Sequence, residues 1–209
     1  MIKKTDQLDQ VYNAEGAQAI RESYESWASG YDEENIANGF RLPSIGAAFT
    51  ARYVPKGGKA ILDAGCGTGL VGEALAILGY TNIVGIDISA AMIKHAGNLQ
   101  VYNRLYEHDL GRPIPEEDNS FDAVTCFGSL GPGHAPAECL DEFIRVTRPG
   151  GFVIFNVRPD TYEEQGLSKK IEGLVSGPTV REVERSSDFR PYLLAEPELG
   201  AKIFVLEVT

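Results

Sequence analysis

The chain has 209 residues, 43% of them hydrophobic and 23% charged, enough for one domain with a sizeable core and little for a second. The formal net charge is −11 and the pI about 4.8, with lysines and arginines scattered singly. Gripping a nucleic-acid backbone takes clustered cations that displace counterions, so neither DNA nor a large RNA is an expected partner.

The opening "MIKKTDQLDQ" has no apolar run behind its lysines, so no secretory signal is expected. Residues 1–18 are polar and read as a lead-in free to fray. Residues 19–209 read as the folded domain, with 19–54 as its N-terminal helical part. Ala19 to Gly39 has a helical pattern, and Arg41 to Val54 forms a second helix after Pro43. "KAILDAG" is a buried strand, a short apolar run halted by Asp and Gly. Leu70, Val71, Ala74, Leu75 and Leu78 recur at helical spacing, with Gly79 suited to end that helix. "NIVGIDIS" is the second strand, and Ser89 caps the helix after it. "NRLYEHDL" and "FDAVTCFGS" are the third and fourth strands. Leu140, Phe143, Ile144 and Thr147 stripe a helix broken by "RPGG", after which "GFVIFNV" starts the fifth strand. Asp160 to Val175 is weakly helical.

"TVREVERSSDF" and "AKIFVLEVT" are two closing strands with only "RPYLLAEPELG" between them. Parallel neighbours need a crossover of a dozen or more residues, so these two are expected to be antiparallel. The whole predicts an α/β sheet with helices on both faces. Cys66, Cys126 and Cys139 lack any paired spacing, which suggests neither a disulfide framework nor a zinc site. No stretch of about 18 apolar residues occurs, so no membrane span is expected. The expected setting is cytoplasmic.

In such sheets ligands bind beyond the carboxyl ends of strands. "DAGCGTG" lies there. Gly65 and Gly67 fit the start of a dinucleotide fingerprint, but its third glycine falls at Leu70, and Asp63 sits inside the turn. A pyrophosphate is poorly served by a carboxylate, whereas an ammonium or a neutral nucleoside tolerates one. Asp87 closes the second strand, where a carboxylate can accept both hydroxyls of a ribose. Asp109 closes the third and can accept from an adenine amino group. Met92, one helical turn past Asp87, can cover a purine face. Asp122 begins the fourth strand, the wrong end for a ligand, and reads as structural.

These stretches, in order and spacing, resemble the class I S-adenosylmethionine-dependent methyltransferases, over roughly Tyr24 to Arg158. "SYESWASGYDEE" is similar to the opening helix of the Williams–Beuren region methyltransferase-like proteins and, more distantly, of the quinone C-methyltransferases. The resemblance implies a single Rossmann-like domain whose seven strands are ordered 3-2-1-4-5-7-6 with strand 7 antiparallel. It implies S-adenosylmethionine as cofactor and S-adenosylhomocysteine as product. Cofactor contacts would come from Asp63, Gly65, Cys66, Gly67, Asp87, Ile88, Met92, Asp109 and Leu110, with Phe127 and Gly128 near the reactive end. Tyr24, Trp27 and Tyr31, at i, i+3 and i+7, share a face and fit a lid, although plain amphipathic packing gives the same spacing.

His134, on the Gly/Pro-rich loop after the fourth strand, is a candidate general base or an exposed loop residue. His95 and His108 read as surface and scaffold. Arg158 and Tyr162 are candidate contacts for the acceptor. The absence of Asn/Asp-Pro-Pro-Tyr/Phe after strand four argues against adenine-amino methyltransferases, and no acidic cluster suggests a metal. A small-molecule acceptor with an O, N, S or C nucleophile is expected, on a monomer or homodimer. A non-catalytic cofactor-binding partner protein and a nicotinamide-dependent oxidoreductase remain as alternatives, the latter disfavoured by Leu70 and Asp63.

Overall fold

The apolar run ending at Asp63 forms the central strand, β1 (Ile61–Ala64), buried at every residue. It pairs in parallel with β2 (Ile83–Asp87) and β4 (Phe121–Cys126). Parallel pairing continues outward from β2 to β3 (Arg104–Glu107) and from β4 to β5 (Thr147–Val157). β7 (Lys202–Val208) runs antiparallel between β5 and β6 (Val180–Arg185). The order is β3-β2-β1-β4-β5-β7-β6, as the family resemblance implies. This is a computed structural model, and it describes residues 7, 10–11, 14, 16–130, 134–163 and 166–209. Most of the polar lead-in and residues 131–133 of the loop after β4 lie outside that set.

Strands covered on both faces need apolar residues at every position. Ile61, Ala123 and Ile154 turn to one face and meet Val71 and Leu75 of α4 (Leu70–Ile77). Leu62, Val124 and Phe155 turn to the other and meet Leu140 and Phe143 of α6 (Cys139–Val146). α5 (Ala90–Asn98) starts as expected, the Ser89 hydroxyl accepting from Met92 N at 3.2 Å. Asp122 holds the far end of the sheet. It accepts from Ala60 N at 2.8 Å and pairs with Lys59 at 2.9 Å and Arg148 at 3.0 Å, so its structural reading stands.

Three expectations change. The helix read from Ala19 to Gly39 is two helices, α1 (Gly16–Trp27) and α2 (Tyr31–Ala37). Gly30 costs about 1 kcal/mol relative to Ala inside a helix. The run Asp32, Glu33, Glu34 then supplies the acidic first turn that favours a new N-terminus. α3 (Leu42–Tyr53) follows, much as expected. Second, "RPGG" belongs to β5, which starts at Thr147. A register shift between Phe121 and Ala123 absorbs it, and Gly150 has φ 76°. Third, the connection between β6 and β7 is a strap. Arg41 N donates to Pro191 O at 2.8 Å, Tyr192 Oη donates to Asn35 Oδ1 at 2.6 Å, and Tyr192 stacks on Phe40. Between β5 and β6 lie α7 (Pro159–Tyr162) and α8 (Leu167–Ser176).

Candidate cofactor and acceptor site

The glycine turn joins β1 to α4. Its amides fold back on β2, Gly65 N and Cys66 N both donating to Ile86 O, at 2.8 and 2.9 Å. Gly65 and Gly67 have φ of 75° and 55°, the left-handed region that glycine enters without a Cβ clash. The two differ in what they face. A Cβ on Gly65 would stand 2.1 Å from Ser129 Oγ, whereas one on Gly67 would meet nothing within 4 Å. Gly67 therefore presents bare backbone to open space.

That space is a cavity of about 460 Å³. Its wall includes Gly65, Cys66, Gly67, Asp87, Ile88, Met92, Asp109, Leu110, Phe127, Gly128, Tyr24, Tyr31 and His134, so the structure brings most of the expected residues together. The volume falls in the range of ordinary small-ligand sites. The walls fit an adenosyl group: a glycine backbone with no Cβ in the way, apolar faces from Ile88, Met92 and Leu110, and a carboxylate at each of two strand ends.

Asp87 accepts from Gly67 N through Oδ2 and from Ser89 N through Oδ1, both at 2.9 Å. Burial pushes its carboxyl up to about 6, the backbone donors of Ser89, Gly67 and Ile88 pull it back, and the charge of Glu25 pushes it up again. An ionised carboxylate offers about four lone-pair sites, so the ribose can share it with those amides. Asp109 Oδ1 accepts from Gly111 N at 2.9 Å and shapes its own loop on the cavity wall. The Cys66 thiol is buried and pushed well up by that burial, which leaves it no nucleophile. Cys126 and Cys139 are core.

Asp63 is not on the cavity wall. It points behind the turn, 1% exposed, accepting from Tyr102 Oη at 2.7 Å and from Thr125 Oγ1 at 3.3 Å. Burial raises its carboxyl to about 7, against the lowering effect of those two hydroxyls. Tyr102 reaches it only because Gly72 has no side chain: a Cβ there would lie 2.2 Å from the Tyr102 ring. Asp63 thus braces the turn from behind, off the cavity wall.

The N-terminal helices, expected as a lid, hold a further correction. With the helix broken before Tyr31, the three rings still cluster, Trp27 stacking on Tyr24 at 6.4 Å and meeting Tyr31 edge-on at 4.6 Å, but Trp27 is not on the wall of the larger cavity. It is buried behind them with Val11 and Tyr192, and its indole Nε1 donates to Glu34 Oε2 at 2.7 Å. Trp27 lines a smaller cavity of about 60 Å³, beside the first. Tyr24, Tyr31, Phe40, Gly128 and His134 border both spaces, and Arg158 borders the smaller one. Tyr162 reaches neither: it stacks on Phe204 at 5.7 Å, against the sheet. His108, read as scaffold, lies on the larger cavity's wall, with Nε2 3.3 Å from Arg112 O.

Several residues escaped sequence reasoning. Glu25 Oε1 accepts from Ser89 Oγ at 3.0 Å and from Ala91 N at 3.1 Å, which ties α1 to the start of α5. Thr68 donates to Asp32 Oδ1 at 2.5 Å, which ties α2 to the glycine turn. Asn156 accepts from Gly128 N at 2.7 Å, and Gly46 makes room for the Phe127 ring. Acidic residues on an amphipathic helix carry no signal of their own partner. The only available signal was that Ser89 and Thr68 each sit where a cofactor turn meets a helix.

Residues 62–155 match the family model for a methyltransferase domain. Over that stretch the chain is similar to the methyltransferase-domain family, and its seven-strand order is that of the class I methyltransferase fold. Human methyltransferase-like protein 27 is 33% identical over 141 residues, 66% of this chain and 57% of that protein. A ubiquinone biosynthesis O-methyltransferase of Pseudomonas syringae is 35% identical over 115 residues, 50% of this chain and 48% of that protein. The chain thus spans about half the length of the curated relatives it matches. Among solved structures, the magnesium protoporphyrin IX methyltransferase of Synechocystis with bound S-adenosylhomocysteine shares the fold. It superposes with a TM-score of 0.63 at 19% identity, over 92% of this chain and 99% of that one. That neighbour holds S-adenosylhomocysteine, the demethylated form of S-adenosylmethionine. Among the described residues no helix is long and apolar enough to cross a membrane.

Proposed function

We propose that the protein transfers a methyl group from S-adenosylmethionine to a small molecule in the cytoplasm, with residues 19–54 as the lid. The observation that carries this is the pair of adjoining cavities, one lined by the glycine turn and the strand-end carboxylates, the other by the lid, Gly128 and Arg158. When bound, the cofactor supplies an activated, positively charged methyl donor.

The chain's own residues do the rest. Gly67 gives backbone contact, Asp87 takes the ribose hydroxyls, Asp109 takes the adenine amino group, and Ile88, Met92 and Leu110 pack on the purine. Phe127 and Gly128 border the methyl end, Tyr24 and Tyr31 close over it, and Cys66 fills the turn. Enclosure excludes water and holds donor and acceptor in line, where effective molarity alone lowers the barrier by many kcal/mol. The acceptor lies in the smaller space. Arg158 is the only lysine or arginine on either wall among the described residues, and it orients the acceptor's polar end.

The test is incubation with labelled S-adenosylmethionine and a fractionated metabolite extract. We expect label in a low-molecular-mass product. Tight binding of S-adenosylhomocysteine with no label transferred to any fraction would favour the non-catalytic partner reading, and preferential binding of NADH would overturn the cofactor assignment.

A further inference from the structure

Tyr24 Oη and His134 Nε2 lie 2.8 Å apart, with the phenol edge-on to the imidazole at 5.9 Å between ring centres. One residue comes from the lid and the other from the loop after β4. Both border both cavities, so this pair stands where the methyl end meets the acceptor space. The bond is not needed to dock α1. That helix is already fixed through Glu25 to Ser89 and Ala91, and through Arg21 to Glu107 at 2.8 Å. A tyrosine-histidine bond at a cavity junction, on a helix anchored elsewhere, is placed for chemistry.

We propose that Tyr24 and His134 form a two-residue proton relay, and that the acceptor is therefore a hydroxyl compound that must lose a proton as it is methylated. The inference rests on the methyl-transfer reading above. The acceptor hydroxyl gives its proton to Tyr24 Oη while Tyr24 gives its own to His134 Nε2. The acceptor oxygen forms its bond to the methyl carbon as the methyl–sulfur bond breaks, and that electron pair stays on sulfur. The imidazolium returns its proton to solvent after turnover. The neutral imidazole must carry its resting proton on Nδ1, so that Nε2 can accept. The other charged or titratable groups bordering the smaller space are Tyr31 of the lid, Arg158 just after β5 and Tyr192 of the strap. Because Tyr24 rides on the lid, the relay exists only when the lid is down, which confines proton removal to the closed site.

The experiment compares the full-length wild type with Tyr24→Phe and His134→Gln, each first checked for S-adenosylhomocysteine affinity. The acceptor probes are phenol and benzenethiol, one shape with two demands: the phenol must be deprotonated, and the thiol is already ionised near neutral pH. The relay predicts that each substitution slows phenol methylation by about 100-fold or more, the range of general-base catalysis, and benzenethiol methylation by less than about threefold. Equal losses on both probes would overturn it and leave the pair a structural contact. A second readout needs no turnover. Imidazole ¹⁵N spectra should show His134 protonated on Nδ1, with its Nε2 signal moved by Tyr24→Phe while His95 and His108 stay in place. A His134 signal indifferent to Tyr24→Phe would overturn the relay even where neither probe is methylated. Failure of the wild type to bind S-adenosylhomocysteine would count against the cofactor reading instead.

Discussion

In the proposed function Asp87 carries the cofactor grip, and its environment would make that grip pH-dependent. Burial raises its carboxyl to about 6, while the amides of Gly67 and Ser89 favour the ionised form. Ribose hydroxyls donate to the ionised carboxylate through charge-assisted bonds, so binding pulls the group further towards ionisation. The sign follows: affinity for S-adenosylhomocysteine is full above about pH 6 and falls as the pH is lowered through that value. Calorimetry across pH 5 to 8 should show this, and Asp87→Asn should weaken binding by about 1–3 kcal/mol and flatten the profile. An Asn variant that binds as the wild type does at every pH would take the sugar contact away from this residue. Asp63 has a similar environment and a different role. Its position in the turn was plain from the sequence, but its direction was not. Tyr102, its partner, lies 39 positions away, and the fit depends on Gly72.

At the scale of elements, the strands were legible and the lid was not. Strands buried on both faces announce themselves as apolar runs, and β1, β2 and β4 fall where those runs fall. The lid is amphipathic throughout, so periodicity runs smoothly past Ala28–Gly30 and gives no sign that α1 ends there. Tyr24, Trp27 and Tyr31 nevertheless meet in one aromatic cluster, brought together by the turn between two helices and not by the face of one. Two carboxylates help fix these helices, Glu25 on the N-terminus of α5 and Asp32 on Thr68, beside the Arg21–Glu107 pair and the Tyr192–Asn35 bond. An anion at a helix N-terminus contributes roughly 0.3–1 kcal/mol, up to about 2 where partly buried. Glu25→Gln should therefore speed hydrogen exchange along α1 and weaken S-adenosylhomocysteine binding by about 1 kcal/mol, with the core strands unchanged. Unaltered exchange in α1 would place the lid's anchor elsewhere. The strap between β6 and β7 was equally silent, since bonds such as Arg41 N to Pro191 O join segments 150 positions apart.

For the whole molecule, the two closing strands showed a hairpin, but only the likeness to known sequences placed β7 between β5 and β6. No local pattern distinguishes an antiparallel strand inserted in a parallel sheet from one added at its edge, although Ile203, Phe204, Val205 and Leu206 are all buried, as an interior strand requires. That topology sets β1, β2 and β4 side by side, so the loops leaving their carboxyl ends converge on one cavity. The N-terminal helices border this cavity through Tyr24 and Tyr31, and the strap is bonded to them through Tyr192 and Asn35. The proposed function thus requires a ligand seated where the central strand turns into its helix. A crystal structure of the full chain with S-adenosylhomocysteine tests this most directly. The account predicts the adenosyl group against Gly67, its ribose hydroxyls on the Asp87 carboxylate, and its sulfur facing Gly128 and the Tyr24–His134 pair. A nucleoside bound elsewhere, with the cavity beside Gly67 empty, would contradict it.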